Sequence, residues 1–221
     1  MGMINFRFTN LPIPPADYSP EHLRQAFRIL ELYFNQVDSL TPIQAEYFAG
    51  RGDRLTFPHI AASDSTDQYA AGNDTPTLVN WNTLTSGYGW ILNSPGSATS
   101  EFPGFYKIAF CLQFANTANT AHDAIIWLRV NTVDVTNSAT TFTLPARKTA
   151  TVPSYLLANA EISFEIAAGD EIELYWATDQ AATSGGVNGV YMLSDPAQTT
   201  PYVRPAIPSA VGSITFVSAV S

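Results

Sequence analysis

The stretch Gly104–Asn116, GFYKIAFCLQFAN, decides the fold of this chain. Tyr106, Ile108, Phe110, Leu112 and Phe114 alternate with Lys107, Ala109, Cys111 and Gln113. Successive side chains of a strand point to opposite faces, so this is one long strand with a heavily apolar face and a plain one. Pro103-Gly104 marks a sharp turn into it.

Outward from that strand, further strands are expected at Phe57–Ala62, Thr77–Trp81, Gly89–Leu92, Ala124–Val130, Val133–Val135, Thr140–Leu144, Thr149–Val152, Ala160–Ala167, Glu171–Thr178, Val190–Leu193 and Ser213–Val220. Turn residues separate them: Asn73-Asp74, Ser94-Pro95-Gly96, Asn137-Ser138, Ala168-Gly169-Asp170, Ser184-Gly185-Gly186 and Asn188-Gly189. Many short strands with near-regular turns give an all-β fold, an antiparallel β-sandwich or jelly roll. Alternation sends Ile162, Phe164, Ile166, Ile172, Leu174, Trp176, Ile126, Leu128 and Val130 inward. The opposite face of Ala124–Val130 carries Ile125, Trp127 and Arg129. The last strand reads as apolar on both faces, with Ile214, Phe216 and Val220 against Val217 and Ala219. In a two-sheet sandwich a second apolar face calls for a neighbouring subunit.

Residues 1–50 read differently from residues 51–221, which gives an N-terminal arm and helix followed by the sandwich domain. Leu11–Pro15, LPIPP, is Pro-rich and extended. Ser19-Pro20-Glu21 starts a helix, with Ser19 as N-cap, Pro20 at the first helical position and Glu21 near the positive end of the dipole. The helix is expected to run to about Leu40, before Thr41-Pro42, where a second short helix ending at Gly50 begins. Leu23, Leu30 and Val37 fall seven apart, as do Ala26, Tyr33 and Leu40, offset by three; Phe27 and Phe34 widen the stripe. This is a coiled-coil seam of roughly two and a half heptads, or one amphipathic helix docked on an apolar partner.

The composition narrows the function. Hydrophobic residues make up 46% of the 221, enough for a full core, while charged residues make up only 13%, about half the usual share. A surface covered by Thr, Ser, Asn and Ala suits a protein that packs into a larger assembly. The net charge is −9, and the scattered Lys and Arg form no basic patch, which excludes nucleic acid and disfavours an anionic membrane surface. The single cysteine, Cys111, allows no disulfide within one chain and no Cys-based metal site. The N-terminus lacks a signal-peptide apolar run, so the protein is expected to be made and kept in a cytoplasm or to leave it by a signal-free route such as lysis.

Three short motifs resemble a known family. Phe102-Pro103-Gly104-Phe105-Tyr106-Lys107-Ile108, the turn and strand Gly169-Asp170-Glu171-Ile172-Glu173-Leu174, and the C-terminal strand Gly212–Val220 are similar to the jelly roll of the tumour necrosis factor and complement globular-head superfamily. Ala124–Thr136, AIIWLRVNTVDVT, with Asn137-Ser138 after it, resembles versions of this module in tailed-phage virion proteins; Leu11–Tyr18, LPIPPADY, followed by a helix, resembles the opening of small phage virion proteins, notably of marine and cyanobacterial phages. The chain departs from the family in having no cysteine pair and no collagen-like stalk. The resemblance implies a homotrimeric virion structural protein, assembled in the host cytoplasm and placed on the outer surface of the particle. Its N-terminal segment would hold it to other virion proteins of the capsid or tail, as a head decoration or cement protein or a short fibre. The alternative is a receptor-binding tail-fibre tip for host surface polysaccharide. The residues expected at the trimer or anchor interface are Leu23, Phe27, Leu30, Phe34, Val37, Trp127, Val217 and Ala219.

Enzymatic residues are not expected. The outward pairs Glu171/Glu173 and Glu161/Glu165 have the residue type of a glycosidase, yet alternating acids are also what a half-exposed strand shows. His22, His59 and His122 have no metal-ligand spacing, and no cofactor is expected. Asp64, Asp67, Asn73 and Asp74 form an acidic loop open to calcium or to plain solvation. Arg51-Gly52-Asp53 reads as a polar connector rather than an adhesion tripeptide. Trp81, Trp90, Trp127 and Trp176 are candidates for sugar stacking, with Trp176 on the core face and Trp127 outward.

Overall fold

The helix begins where the sequence places it. In the computed structural model, which describes residues 20–37 and 57–219 (of residues 32–37 the backbone only), α1 spans Pro20–Val37 with Glu21 in its first turn. Proline at the first helical position loses nothing, because its missing N–H has no intrahelical acceptor there. Leu11–Pro15, Ser19, Leu40, Thr41-Pro42 and Arg51-Gly52-Asp53 lie outside the described residues. By its internal contacts the chain divides into two units, Met1–Leu55 and Thr56–Ser221.

The second unit is built of strands: β1 His59–Asp64, β2 Gln68–Tyr69, β3 Thr77–Leu78, β4 Thr83–Tyr88, β5 Trp90–Asn93, β6 Ser97–Ser100, β7 Gly104–Asn116, β8 His122–Val130, β9 Val133–Asp134, β10 Thr140–Leu144, β11 Ser154–Ile166, β12 Glu171–Thr178, β13 Val190–Met192 and β14 Ala210–Ser218. The first sheet runs β11–β7–β14–β1–β4, with β13 beside the end of β7 and β2 beside β13. The second runs β10–β8–β12–β6–β5, with β9 on β8 and β3 on β12. In chain order the eight principal strands are β1, β6, β7, β8, β10, β11, β12 and β14. The first pairs with the last, the second with the seventh, the third with the sixth and the fourth with the fifth, all antiparallel. Nested pairing split over two sheets is a jelly roll.

The stretch that opens the reading, β7, alternates buried and half-buried residues along nearly its whole length. Its inner row meets the second sheet. Phe114 packs on Trp176 with ring centres 5.4 Å apart, and Trp90 meets Tyr106 edge-on at 5.1 Å. Leu112, Phe114, Ile126, Leu128 and Trp176 are fully buried. Such burial is worth roughly 1.5–3 kcal/mol for each large apolar side chain and is the main stabilising contribution. Gly104 must be glycine, because a Cβ there would lie 2.7 Å from the Phe216 ring.

Three sequence expectations change. The strand expected at Ala160–Ala167 begins earlier, at Ser154, and Thr149–Val152 is an isolated bridge instead of a strand. Leu156, Leu157, Ala158 and Ala160 have helical preference, but pairing with β7 from Ser154↔Asn116 to Ile166↔Gly104 overrides it. The polar strands β4, TLTSGY, and β6, SATS, carry no apolar alternation and escape the sequence reading. Finally, β14 is not apolar on both faces. Its ladder shifts between Phe216, opposite Tyr106, and Ser218, opposite Phe105, so Val217 is the extra residue of a bulge. The outward face of β14 is Val211, Ser213 and Thr215; Val217 and Ala219 are exposed beyond it, and Val220 lies outside the described residues.

Candidate functional surfaces

On α1 the apolar positions fall at 23, 27, 30, 34 and 37, alternate steps of four and three that keep them on one stripe. Leu23 is 38%, Phe27 64% and Leu30 40% exposed. Phe34 and Val37 occupy the same stripe by position. A helix of this length is marginal in water without a partner for its apolar face.

The middle of the outward face of the first sheet is lined by small residues. Strand register lines up Ala61, Ser213, Ala109 and Glu161 in one row, and Ser63, Val211, Cys111 and Asn159 in the next. Lys107 reaches diagonally to Glu161 at 3.1 Å, which leaves that charge paired on the surface. His59 contributes Nε2 to the Ser86 hydroxyl at 3.0 Å. Burial pushes the Cys111 thiol up, away from the reactive thiolate. At the start of β11, Tyr155 and Leu157 add exposed apolar area. The first half of β11 was not legible as a strand in the sequence, so these two were missed; the alternation Tyr155, Leu157, Asn159, Glu161 is the signal that finds them.

On the outward face of the second sheet, Trp127 and Tyr175 are directly paired across strands and stack at 6.0 Å. The Arg129 guanidinium lies 4.0 Å from the Tyr175 ring centre. Asp134 Oδ1 accepts hydrogen bonds from Trp127 Nε1 and Arg129 Nε, each at 2.8 Å. Those two donors, Arg129 first, hold the Asp134 carboxyl below the usual carboxylate range. Trp127 is thus latched within its own sheet. Of the expected interface residues, Trp127 lies on the second sheet, whereas Val217 and Ala219 lie at and just past the end of β14 in the first. The structure does not bring them together.

The other tryptophans are poor sugar platforms. Trp90 and Trp176 are core residues whose indole N–H groups have no acceptor, and Trp81 packs over Gly212, where a Cβ would meet its ring at 2.8 Å. The acidic loop does not converge on a cation. Asp64 accepts from the Thr66 N–H at 2.7 Å, Asp67 from the Ser194 N–H at 2.8 Å, and Asn73 Oδ1 from the Ala181 N–H at 2.8 Å. Asp64 is occupied within its own loop, and Asp67 and Asn73 by backbone N–H groups of distant segments. Among the described residues no three His, Cys, Asp or Glu side chains gather as metal ligands. His122 Nδ1 meets Asp179 at 3.0 Å, and Glu171 accepts from the Ser97 hydroxyl.

Tyr191 stacks on Tyr69 at 5.4 Å, and burial, then the charge of Asp67, push its phenol up to about 12. The neutral phenol is favoured in the folded state. Its stabilising effect is therefore complete below the ordinary value of 10.0 and is lost as pH rises toward about 12. Stability should fall across that window. Tyr191→Phe should remove that part of the alkaline loss, measured by denaturant unfolding at stepped pH; identical alkaline profiles for both proteins would refute the assignment.

Comparison with known proteins adds a likeness of shape. The chain is similar to the globular domain of the zebrafish complement 1qA protein, at 14% identity and a TM-score of 0.43, over 75% of this chain and 100% of that one. No protein-family model and no curated protein matches the sequence. The jelly roll itself is established by the nested strand pairing of this chain.

Proposed function

We propose that this chain is a homotrimeric structural protein of a viral particle, a non-enzymatic component held by its N-terminal segment with the jelly roll turned outward. The observation that carries the reading is the exposed stripe Leu23, Phe27 and Leu30 on α1. Such a stripe calls for sister helices or a host particle, and the seven-residue spacing favours sister helices. The small residues in the middle of the first sheet's outward face let a second backbone approach closely and bring few charges to be desolvated. A low share of charged residues, 13%, fits a chain surrounded by neighbours. The virion setting rests on the sequence resemblance of LPIPPADY and AIIWLRVNTVDVT, and a head decoration or a short fibre both suit it.

Mass measurement in solution tests the reading. A species three times the 24.0 kDa chain mass is expected; a monomer at micromolar concentration sinks it. Deleting residues 1–50 should leave a folded β-domain that no longer joins the particle. Normal incorporation of that truncated protein would remove the anchor from the account.

A further inference from the structure

The end of the sandwich opposite the start of β1 carries a cleft with its own chemistry. The chain enters the sandwich at His59, which pairs with Thr215, and Thr215 pairs with Lys107 near the start of β7. Strand β7 therefore ends, at Asn116, on the far side. Three loops gather there: 117–121, TANTA; 145–153, PARKTATVP; and 179–189, DQAATSGGVNG. Their one carboxylate, Asp179, is already engaged, by His122 Nδ1 and by the Asp123 N–H at 3.0 Å each.

Two cations of the sandwich domain without an ion pair lie at the same end. Residues 57–219 contain the bases Lys107, Arg129, Arg147, Lys148 and Arg204. Lys107, Arg129 and Arg204 are ion-paired to Glu161, Asp134 and Asp195. Arg147 and Lys148 have no carboxylate at ion-pair distance among the described residues. Arg147 lines an open cleft of about 230 Å³, with Thr151, Val152, Val187 and Asn188 on its walls. Its Nη1 donates to the Thr117 carbonyl at 3.3 Å and its backbone N–H to Ala118 at 2.9 Å, which fixes the side chain at the cleft. Thr117 ties the third loop in, through hydrogen bonds between its hydroxyl and both the N–H and carbonyl of Gly189 at 3.1 Å. Val152 and Val187 are exposed apolar walls.

We infer that this cleft binds one acidic sugar unit of a polysaccharide, a hexose-sized ring bearing a carboxylate or sulfate. The guanidinium is the group that takes a planar or tetrahedral oxyanion by paired hydrogen bonds. The valines cover the C–H face of the ring, and Thr151 and Asn188 supply hydroxyl partners. A small, mostly apolar concavity with a few placed polar groups is the general form of such sites. Arg147 and Lys148 outnumber the single carboxylate of these loops, Asp179, which favours an anion at this end of the sandwich.

The test titrates the full-length protein with glucuronate, glucose and inorganic sulfate, followed by calorimetry and amide chemical shifts. Glucuronate should bind saturably, about tenfold tighter than glucose or sulfate, and Arg147→Gln should weaken it about tenfold, the effect of one charge-assisted contact. Ala150→Trp, at an exposed position on the cleft wall, should block binding without touching Arg147 and covers the case of an unstable Arg147 variant. Sulfate binding as tight as glucuronate means a bare cation with no ring site and overturns the proposal. So does glucuronate binding that survives either variant, or none at all. The readout does not depend on whether the chain is a trimer, so each reading fails separately.

Discussion

An Asn116→Ala variant is expected to lose about 2–4 kcal/mol of stability, more than any surface substitution. Asn116 ends β7, is fully buried, and lies between Ser154 of β11 and Val190 of β13. Its Oδ1 accepts from the buried Ala118 N–H at 2.8 Å, and its Nδ2 donates to the carbonyls of Thr120 and Pro145 at 2.9 Å each. One side chain thus holds two loops of the cleft end, and both are polar backbone segments with no apolar core of their own. Alanine leaves the Ala118 donor without its acceptor and the two carbonyls short of a donor. Each buried group stranded in this way costs about 1–3 kcal/mol, partly recovered where water enters. Denaturant midpoints with an unchanged slope measure the loss. Asn159→Ala, on the exposed face of β11, is the control and should stay within about 0.5 kcal/mol of the parent. A loss in Asn116→Ala no larger than the control's would show that the loops are held by other contacts. The sequence gives no warning of this residue: Asn after Phe-Ala reads as a strand end, and only the fold brings residues 120 and 145 to it.

The double variant Phe27→Glu, Leu30→Glu should convert the proposed trimer to monomer. In a lone chain both side chains face water, Phe27 at 64% exposure, so glutamate there costs almost nothing and even suits a helix. In a three-helix seam the same change buries carboxylates without partners. Burying an uncompensated charge costs several kcal/mol, enough to dissociate a small bundle. Sedimentation or mass measurement reads the result, and the thermal transition of the β-domain should be unchanged. A trimer that survives the double variant would remove α1 from the interface and place the contact on the first sheet. In that case an arginine at Ala109, the middle of that face, becomes the disruptive change.

The sequence alone determined the strand class and most of the inward positions, because alternation is local: Tyr106 through Phe114, Ile162 through Ile166 and Ile172 through Trp176 carry period two within a single segment. It also placed the turns. Asp74, Asn137, Gly169, Gly185, Gly186 and Asn188 all adopt the positive φ that Gly, Asn and Asp tolerate best. The apolar stripe of α1 is legible for the same reason, as a spacing within one segment. What depends on partners far along the chain was not legible. The register that makes Val217 a bulge, the extension of β11 back to Ser154 against helical preference, and the latching of Trp127 by Asp134 each need a second strand in place. So does the cleft: Arg147 and Lys148 are unremarkable in sequence, and that neither has an ion-pair partner among the described residues appears only when three loops from distant parts of the chain meet. Periodicity is a property of a segment, whereas register, burial of polar groups and the pairing of charges are properties of segments brought together, and only the tertiary structure decides them.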